Sequence, residues 1–225
     1  MGGPFVRQDF PALRLALFCV VVGPFLVNGW INAQIAARPL WYWSFELLSW
    51  LVIPLAAFTI ARRDGGPTLA ALGYSFCVLG RRNPSGLLVL CLVAGACTPA
   101  LYGVCEWLGR ALFGARAFFS YADVIPADGV ARALVVLWFG LSAGVIEETL
   151  YRAYAWHLAA YCRRPRLIYL VLAPFLFALV HWEGGAASLA ASWFYGLVAA
   201  IAYLALRNLW PLVVGHCTTD FLAFA

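Results

Sequence analysis

Lysine is absent from the 225 residues, and all fifteen basic residues are arginines against ten acidic ones. Charge of either sign is scarce at 11%, where a soluble domain carries about 25%. There is no polar low-complexity tract and no fixed-period repeat, which excludes disordered chains, collagens and solenoids. The seven cysteines form no CxxC pair and follow no regular spacing. They read as small buried hydrophobes, so a disulfide framework and a zinc knuckle are both excluded. HExxH is missing as well, and with it the usual zinc-protease logic. Basic residues that bind nucleic acid cluster on one face; these arginines stand at the ends of apolar runs, so no nucleic-acid partner is expected.

Apolar sequence fills what is left. Residues of the hydrophobic set make up 64% of the chain, and its mean hydropathy is +0.87. At roughly 20 apolar residues per span, the length accommodates about seven transmembrane helices. The runs are Leu15–Ile35, Trp41–Ala61, Gly86–Leu108, Ala131–His157, Leu167–His181, Ala187–Leu206 and Leu209–Ala225. The expected fold is an all-α, polytopic transmembrane bundle forming one integral membrane domain over residues 1–225. Met1–Pro11 holds no apolar run followed by a small-residue cleavage site, so the first run is expected to remain as a span.

Two connections stand out. Arg62–Asn83, with its Gly-Gly-Pro turn and Arg81-Arg82, is expected to lie at the interface as an amphipathic helix. Gly109–Val130 carries Arg110, Arg116, Asp123, Pro126 and Asp128; it is the longest polar connection and a candidate lid or entrance. Pro24, Pro54, Pro99 and Pro174 each remove one helix hydrogen bond, a common kink in membrane helices. Ser188, Ser192, Gly196 and Ala200 recur every four residues, a stripe suited to close helix packing.

Ionisable groups in hydrocarbon cost about 2.5–3.5 kcal/mol each on insertion scales, so each one demands a reason. The fourth run contains Glu147, Glu148 and Arg152. Glu148 and Arg152 stand four apart on one face in the favourable acid-before-base order and can pair. Glu147 then points about 100° away with no partner on its own helix. An unpaired carboxylate in a dry site suits a general base. The fifth run ends at Phe177 and His181, and the seventh carries His216 and Asp220 four residues apart, where the carboxylate can orient the imidazole. Glu147 lies fifteen residues from Arg132 and sixteen from Arg163, about 22–24 Å along the helix from each. His181, fifteen residues past Arg166, reaches a comparable depth, and His216, nine past Arg207, lies about 14 Å in. Three helices can therefore present these groups to one cavity. His157 reads as interfacial, and Glu46 and Glu106, near their run ends, stand outside the site.

The trio Glu147-Glu148-x-x-x-Arg152, Phe177-x-x-x-His181 and His216-x-x-x-Asp220 resembles the CPBP intramembrane proteases. That family is named for CAAX proteases and bacteriocin-processing enzymes and includes the Ras-converting CAAX endopeptidases. The likeness covers the second half, a motif-bearing core of about residues 131–225. It implies hydrolysis of a peptide bond near or within the membrane, acting on a peptide or protein substrate that reaches the bilayer. Glu147 and His181 would activate a water, His216 and Asp220 would stabilise the oxyanion, and Glu148 and Arg152 would brace the helix. The last motif position is often Asn in CAAX proteases. An ionised Asp cannot donate to an oxyanion, so Asp220 either stays protonated or serves to orient His216. Many members are labelled metalloproteases; zinc or manganese on Glu147, His181, His216 and Asp220 is the metal-bound alternative. A non-catalytic membrane protein, either a proton-coupled transporter or an immunity or scaffold protein, is the competing reading. Against the transporter stands the lack of symmetry between the two halves.

Arginine also sets the expected orientation. Arg7, Arg14, Arg62, Arg63, Arg81, Arg82, Arg163, Arg164, Arg166 and Arg207 fall on one side, and Arg38, Arg110, Arg116 and Arg132 on the other. The N-terminus should face the cytoplasm in a multi-pass protein of a cell membrane. The all-arginine usage suits a GC-rich genome, and a bacterial inner membrane is the expected location. Reporter fusions at residue 64 and at the C-terminus should report cytoplasmic and far-side positions respectively; both on one side would contradict the seven-span arrangement.

Overall fold

The computed structural model describes residues 11–32, 38–114 and 124–224. It is helical throughout, apart from one two-stranded hairpin among the described residues. Seven apolar helices coincide with the seven runs. They are α1 (Ala12–Asn32), α2 (Pro39–Arg63), α4 (Pro84–Phe113), α5 (Gly129–Ala159), α6 (Pro165–Leu179), α7 (Gly185–Leu206) and α8 (Trp210–Phe224). Five of the helical segments are long and apolar enough to cross a membrane, the segment that includes α7 beginning at Trp182. α6 and α8 have 15 residues each and reach about 22 Å at 1.5 Å per residue, short of a 30 Å hydrocarbon core. Both are the helices that bring the histidines of the motifs into the bundle.

Helix α4 shows what the outer surface is made for. Its N-terminus is capped by the Asn83 side chain, which accepts from the Gly86 amide at 2.8 Å. Of its 30 residues only Leu87, Cys105 and Gly109 are buried, while Leu88, Leu92, Val104 and Trp107 are exposed along the same helix. An apolar ridge of that kind is stable against lipid and costly against water.

The prolines expected to mark kinks lie inside helices, Pro24 in α1, Pro99 in α4 and Pro174 in α6. Just ahead of Pro54, α2 widens into a π-type turn over Leu48–Val52, where the proline leaves a carbonyl without its usual donor. The small-residue stripe of α7 is buried where it meets α6: a Cβ on Gly196 would stand 3.1 Å from the Phe177 ring and 3.2 Å from the Pro174 backbone. Ser192 and Ala200 are fully buried, and Ser188 faces a cavity instead.

Two expectations are corrected. The stretch expected as an interfacial amphipathic helix contains only a single turn, α3 (Leu69–Leu72), and a hairpin pairing β1 (Cys77–Val78) with β2 (Arg81–Arg82). The turn ends at Gly73, whose φ of 106° lies in the left-handed region and stops helix propagation. The stretch is tied to the α7–α8 connection instead. Leu209 N donates to Gly73 O, and the Asn208 amide donates to the carbonyls of Ser75 and Cys77. The cysteines are free, but Cys19, Cys77 and Cys97 are exposed rather than buried. Cys19 and Cys97 lie on the outer faces of α1 and α4, where lipid takes the place of protein packing. The stretch proposed as a lid or entrance falls partly on residues 115–123, so Arg116 and Asp123 lie outside the described residues, as does Arg7.

The bundle packs α5 against α8, α6 against α7, and α4 against both α7 and α8. Gly144 on α5 is where α8 comes closest: a Cβ there would stand 2.5 Å from Cys217 Sγ and 3.2 Å from the Val213 carbonyl. Gly144→Val should therefore overpack this contact and cost about 1–3 kcal/mol. The readout is the thermal midpoint of the detergent-solubilised protein; an unchanged midpoint would show that the helices do not meet there.

Candidate active site

Glu147 and Glu148 close the regular part of α5, and the next turn, Thr149–Tyr154, is widened and carries Arg152. Glu148 and Arg152 are both wholly buried. Arg152 Nε lies 3.1 Å from Glu148 Oε2, and Arg152 Nη2 donates to Glu148 Oε1 at 3.3 Å. The guanidinium also sits 4.4 Å from the centre of the Phe177 ring, a cation–π contact that occupies a face with no hydrogen-bond partner to offer.

The same Glu148 Oε1 takes a second contact, from His216 Nδ1 of α8 at 2.9 Å. A carboxylate accepts, so Nδ1 carries the proton and the ring is fixed with Nε2 directed away from the pair. Nε2 stands 3.7 Å from Glu147 Oε2 and 3.8 Å from Asp220 Oδ2. These are ion-pair separations rather than hydrogen bonds. The i,i+4 spacing on α8 brings Asp220 beside His216, but the hydrogen bond that orients the ring comes from Glu148.

His181 ends α6. Its Nδ1 lies 2.7 Å from the Phe177 carbonyl, which can only accept, so Nδ1 is the donor and Nε2 offers a lone pair. Glu147, His181, His216 and Asp220 all line one cavity of about 340 Å³. Glu148 and Arg152 lie behind its wall. Tyr195 and Tyr102 line it too, their rings edge to face at 5.7 Å and the Tyr195 ring 6.0 Å from His216.

Glu46, Glu106 and Glu183 also line the cavity, although Glu46 and Glu106 were expected to stand outside the site. Glu106 is paired with Arg110 at 2.5 Å on the same helix. Glu46 is 4% exposed and accepts from the Trp138 indole at 3.3 Å. The signal that could have found it is the one used for Glu147, the cost of a carboxylate in an apolar helix. His157 sits outside the cavity, 3.3 Å from Arg14 near the end of α5.

As a metal site, the four motif groups do not fit. Among the described residues no three His, Cys, Asp or Glu side chains are gathered to hold one ion.

Residues 129–222 match the family model described as Rce1-like, type II CAAX prenyl endopeptidase. No curated protein and no solved structure matches the chain. The matched stretch carries all three motifs and every residue described above on α5, α6 and α8. Over that stretch, fewer than half of its 225 residues, the chain is similar to this family.

Removing Arg152 tests the buried pair. Arg152→Ala leaves Glu148 buried without its cation, a change that typically costs about 3–5 kcal/mol. The yield of folded protein in detergent should fall, along with its thermal midpoint; normal yield and midpoint would rule out the bracing role.

Proposed function

We propose that this Rce1-like protein is an intramembrane endopeptidase whose water-activating and oxyanion-stabilising groups are Glu147, His181, His216 and Asp220. The observation that carries the reading is the meeting of these four groups, from three helices, on the wall of one cavity. The bundle spans a cell membrane with its N-terminus cytoplasmic, and the substrate is a peptide or protein segment reaching the cavity from the bilayer.

The steps follow from the proton positions. A water in the cavity is held by the Glu147 carboxylate and by the lone pair on His181 Nε2. Glu147 takes a proton from the water as its oxygen attacks the scissile carbonyl carbon. The charge that develops on the carbonyl oxygen needs donors aimed at it in a dry site. His216 supplies Nε2–H as an imidazolium whose other nitrogen is tethered to Glu148. Asp220, carrying its proton, supplies a second donor beside it. As the C–N bond breaks, Glu147 returns the proton to the leaving nitrogen, giving a carboxylate and an amine. Glu148 and Arg152 act through His216 as positioning residues. No step requires a metal ion.

The test compares the peptide termini in membranes carrying wild-type protein with those carrying Glu147→Gln. New termini should appear with the wild type and be absent from the variant. Identical termini would favour a non-catalytic membrane protein. Asp220→Asn keeps a donor in nearly the same place, so its cleavage should survive within about tenfold of wild type and be indifferent to chelator. An inactive Asp220→Asn restored by added zinc or manganese would overturn the metal-free scheme.

A further inference from the structure

Alternating helices give the bundle two ends. At one, α2 runs into Arg62 and Arg63, and the connections after α2 and α5 carry Arg81, Arg82, Arg163 and Arg164. At the other, α1, α4, α6 and α8 finish and α2, α5 and α7 begin. The cavity that holds Glu147 and His181 belongs to this second, arginine-poor end. Its innermost described lining residues, Trp50, Tyr102, Glu147, Tyr195 and His216, stand near the middle of their helices. From there it runs outward to Ser188 at the start of α7, Ala223 near the end of α8 and the Glu183–Gly184 turn between α6 and α7. Glu106 marks where it meets the surface: this carboxylate lines the cavity, yet its side chain is 44% exposed and that of its partner Arg110 is 59% exposed. Charges that open belong at an aqueous mouth, because they are costly in hydrocarbon.

The arginine-rich end is closed. Past Glu147 the interior is filled by the Glu148–Arg152 pair and by Tyr151, Tyr169, Ala200 and Leu209, all fully buried. Beyond them the single turn of α3 packs across the helix ends. Its Leu72 is fully buried, and the Leu72 carbonyl accepts from the Tyr203 hydroxyl at 3.2 Å. Arg207 lies over the Trp156 ring at 4.2 Å, and that ring meets Tyr169 edge to face. A close-packed interior of this kind has no room for a peptide chain. A second, apolar cavity of about 420 Å³ between α1, α2 and α5 shares none of the described residues that line the first. Glu147 is sixteen residues from Arg163, about 24 Å of helix, so a chain at the arginine-rich surface stays far from it.

We propose that substrate and water enter this cavity from the arginine-poor, non-cytoplasmic side, so that the bond cut lies in the outer half of the bilayer or just beyond it. The substrate class is then a polypeptide segment already carried across the membrane, and the cytoplasmic tail of a protein is excluded. The proposal rests on the endopeptidase reading for the cleavage and on the arginine bias for the identity of the two sides.

Thiol accessibility tests the entrance without calling on activity. Ser188→Cys puts a thiol on the cavity wall away from the motif residues, and native Cys77, exposed in the hairpin at the arginine-rich end, reports the opposite surface. The full-length protein is treated with a charged, membrane-impermeant thiol reagent in spheroplasts and in inverted membrane vesicles, and labelled positions are read by peptide mass spectrometry. Position 188 should be labelled in spheroplasts and spared in inverted vesicles, and Cys77 should show the reverse. Labelling of position 188 in inverted vesicles, or its absence in spheroplasts, overturns the proposal. Ala223→Cys, on the same wall, decides the matter if Ser188→Cys elutes as aggregate. Cleavage is read separately: peptide termini that depend on Glu147 should fall in segments on the non-cytoplasmic side of their proteins. Such termini in cytoplasmic tails overturn the side of entry alone. Absence of any Glu147-dependent terminus fails the endopeptidase reading, while the labelling still reports where the cavity opens.

Discussion

Glu148 and Arg152 place a full ion pair where neither side chain touches solvent. Two charges removed from water cost several kcal/mol each, and their attraction repays this only with good geometry and further hydrogen bonds. Here the further bonds tie the bundle together. One oxygen of Glu148 holds both Arg152 on its own helix and His216 on α8, and the guanidinium rests on Phe177 of α6. A single pair on α5 thereby fixes the relation of three helices. Sixty-eight residues separate Glu148 from His216, and the contact between them defines the side of the ring that looks into the cavity.

The cavity depends on this arrangement. With Nδ1 of each histidine committed, to Glu148 for His216 and to the Phe177 carbonyl for His181, both Nε2 atoms are the ones left for chemistry. Glu147 neighbours the pair in sequence but lines the cavity, so one carboxylate is held in the ion pair and the adjacent one faces the open space. The tandem glutamates thus have two environments.

Much of this was legible in the residues. Seven apolar runs predicted seven helices, because a polar residue is costly in hydrocarbon and the boundaries are marked by arginine and proline. The Glu148–Arg152 pairing followed from i,i+4 spacing, and the groups expected to share a cavity from three helices do line one. Spacing misled at His216, where the neighbour on the same helix is near but the hydrogen bond comes from another helix; no local pattern encodes such a contact. It misled again over Arg62–Asn83, where the glycines end the helix after one turn and the following residues dock on the α7–α8 connection. Glu46 was passed over although it carried the same signal as Glu147, a carboxylate inside an apolar run. It lies in the first half without a motif, and only the fold brings it to the cavity.

The chain has only three histidines, which makes the central contact directly measurable. Protein labelled with ¹⁵N-histidine and studied by solid-state NMR in bilayers should show three rings, with His216 assigned by its loss in His216→Phe. The account predicts a protonated Nδ1 on His216 whose resonance moves when Glu148 is replaced by glutamine. A bare Nδ1 on that ring, or one indifferent to Glu148→Gln, would contradict it.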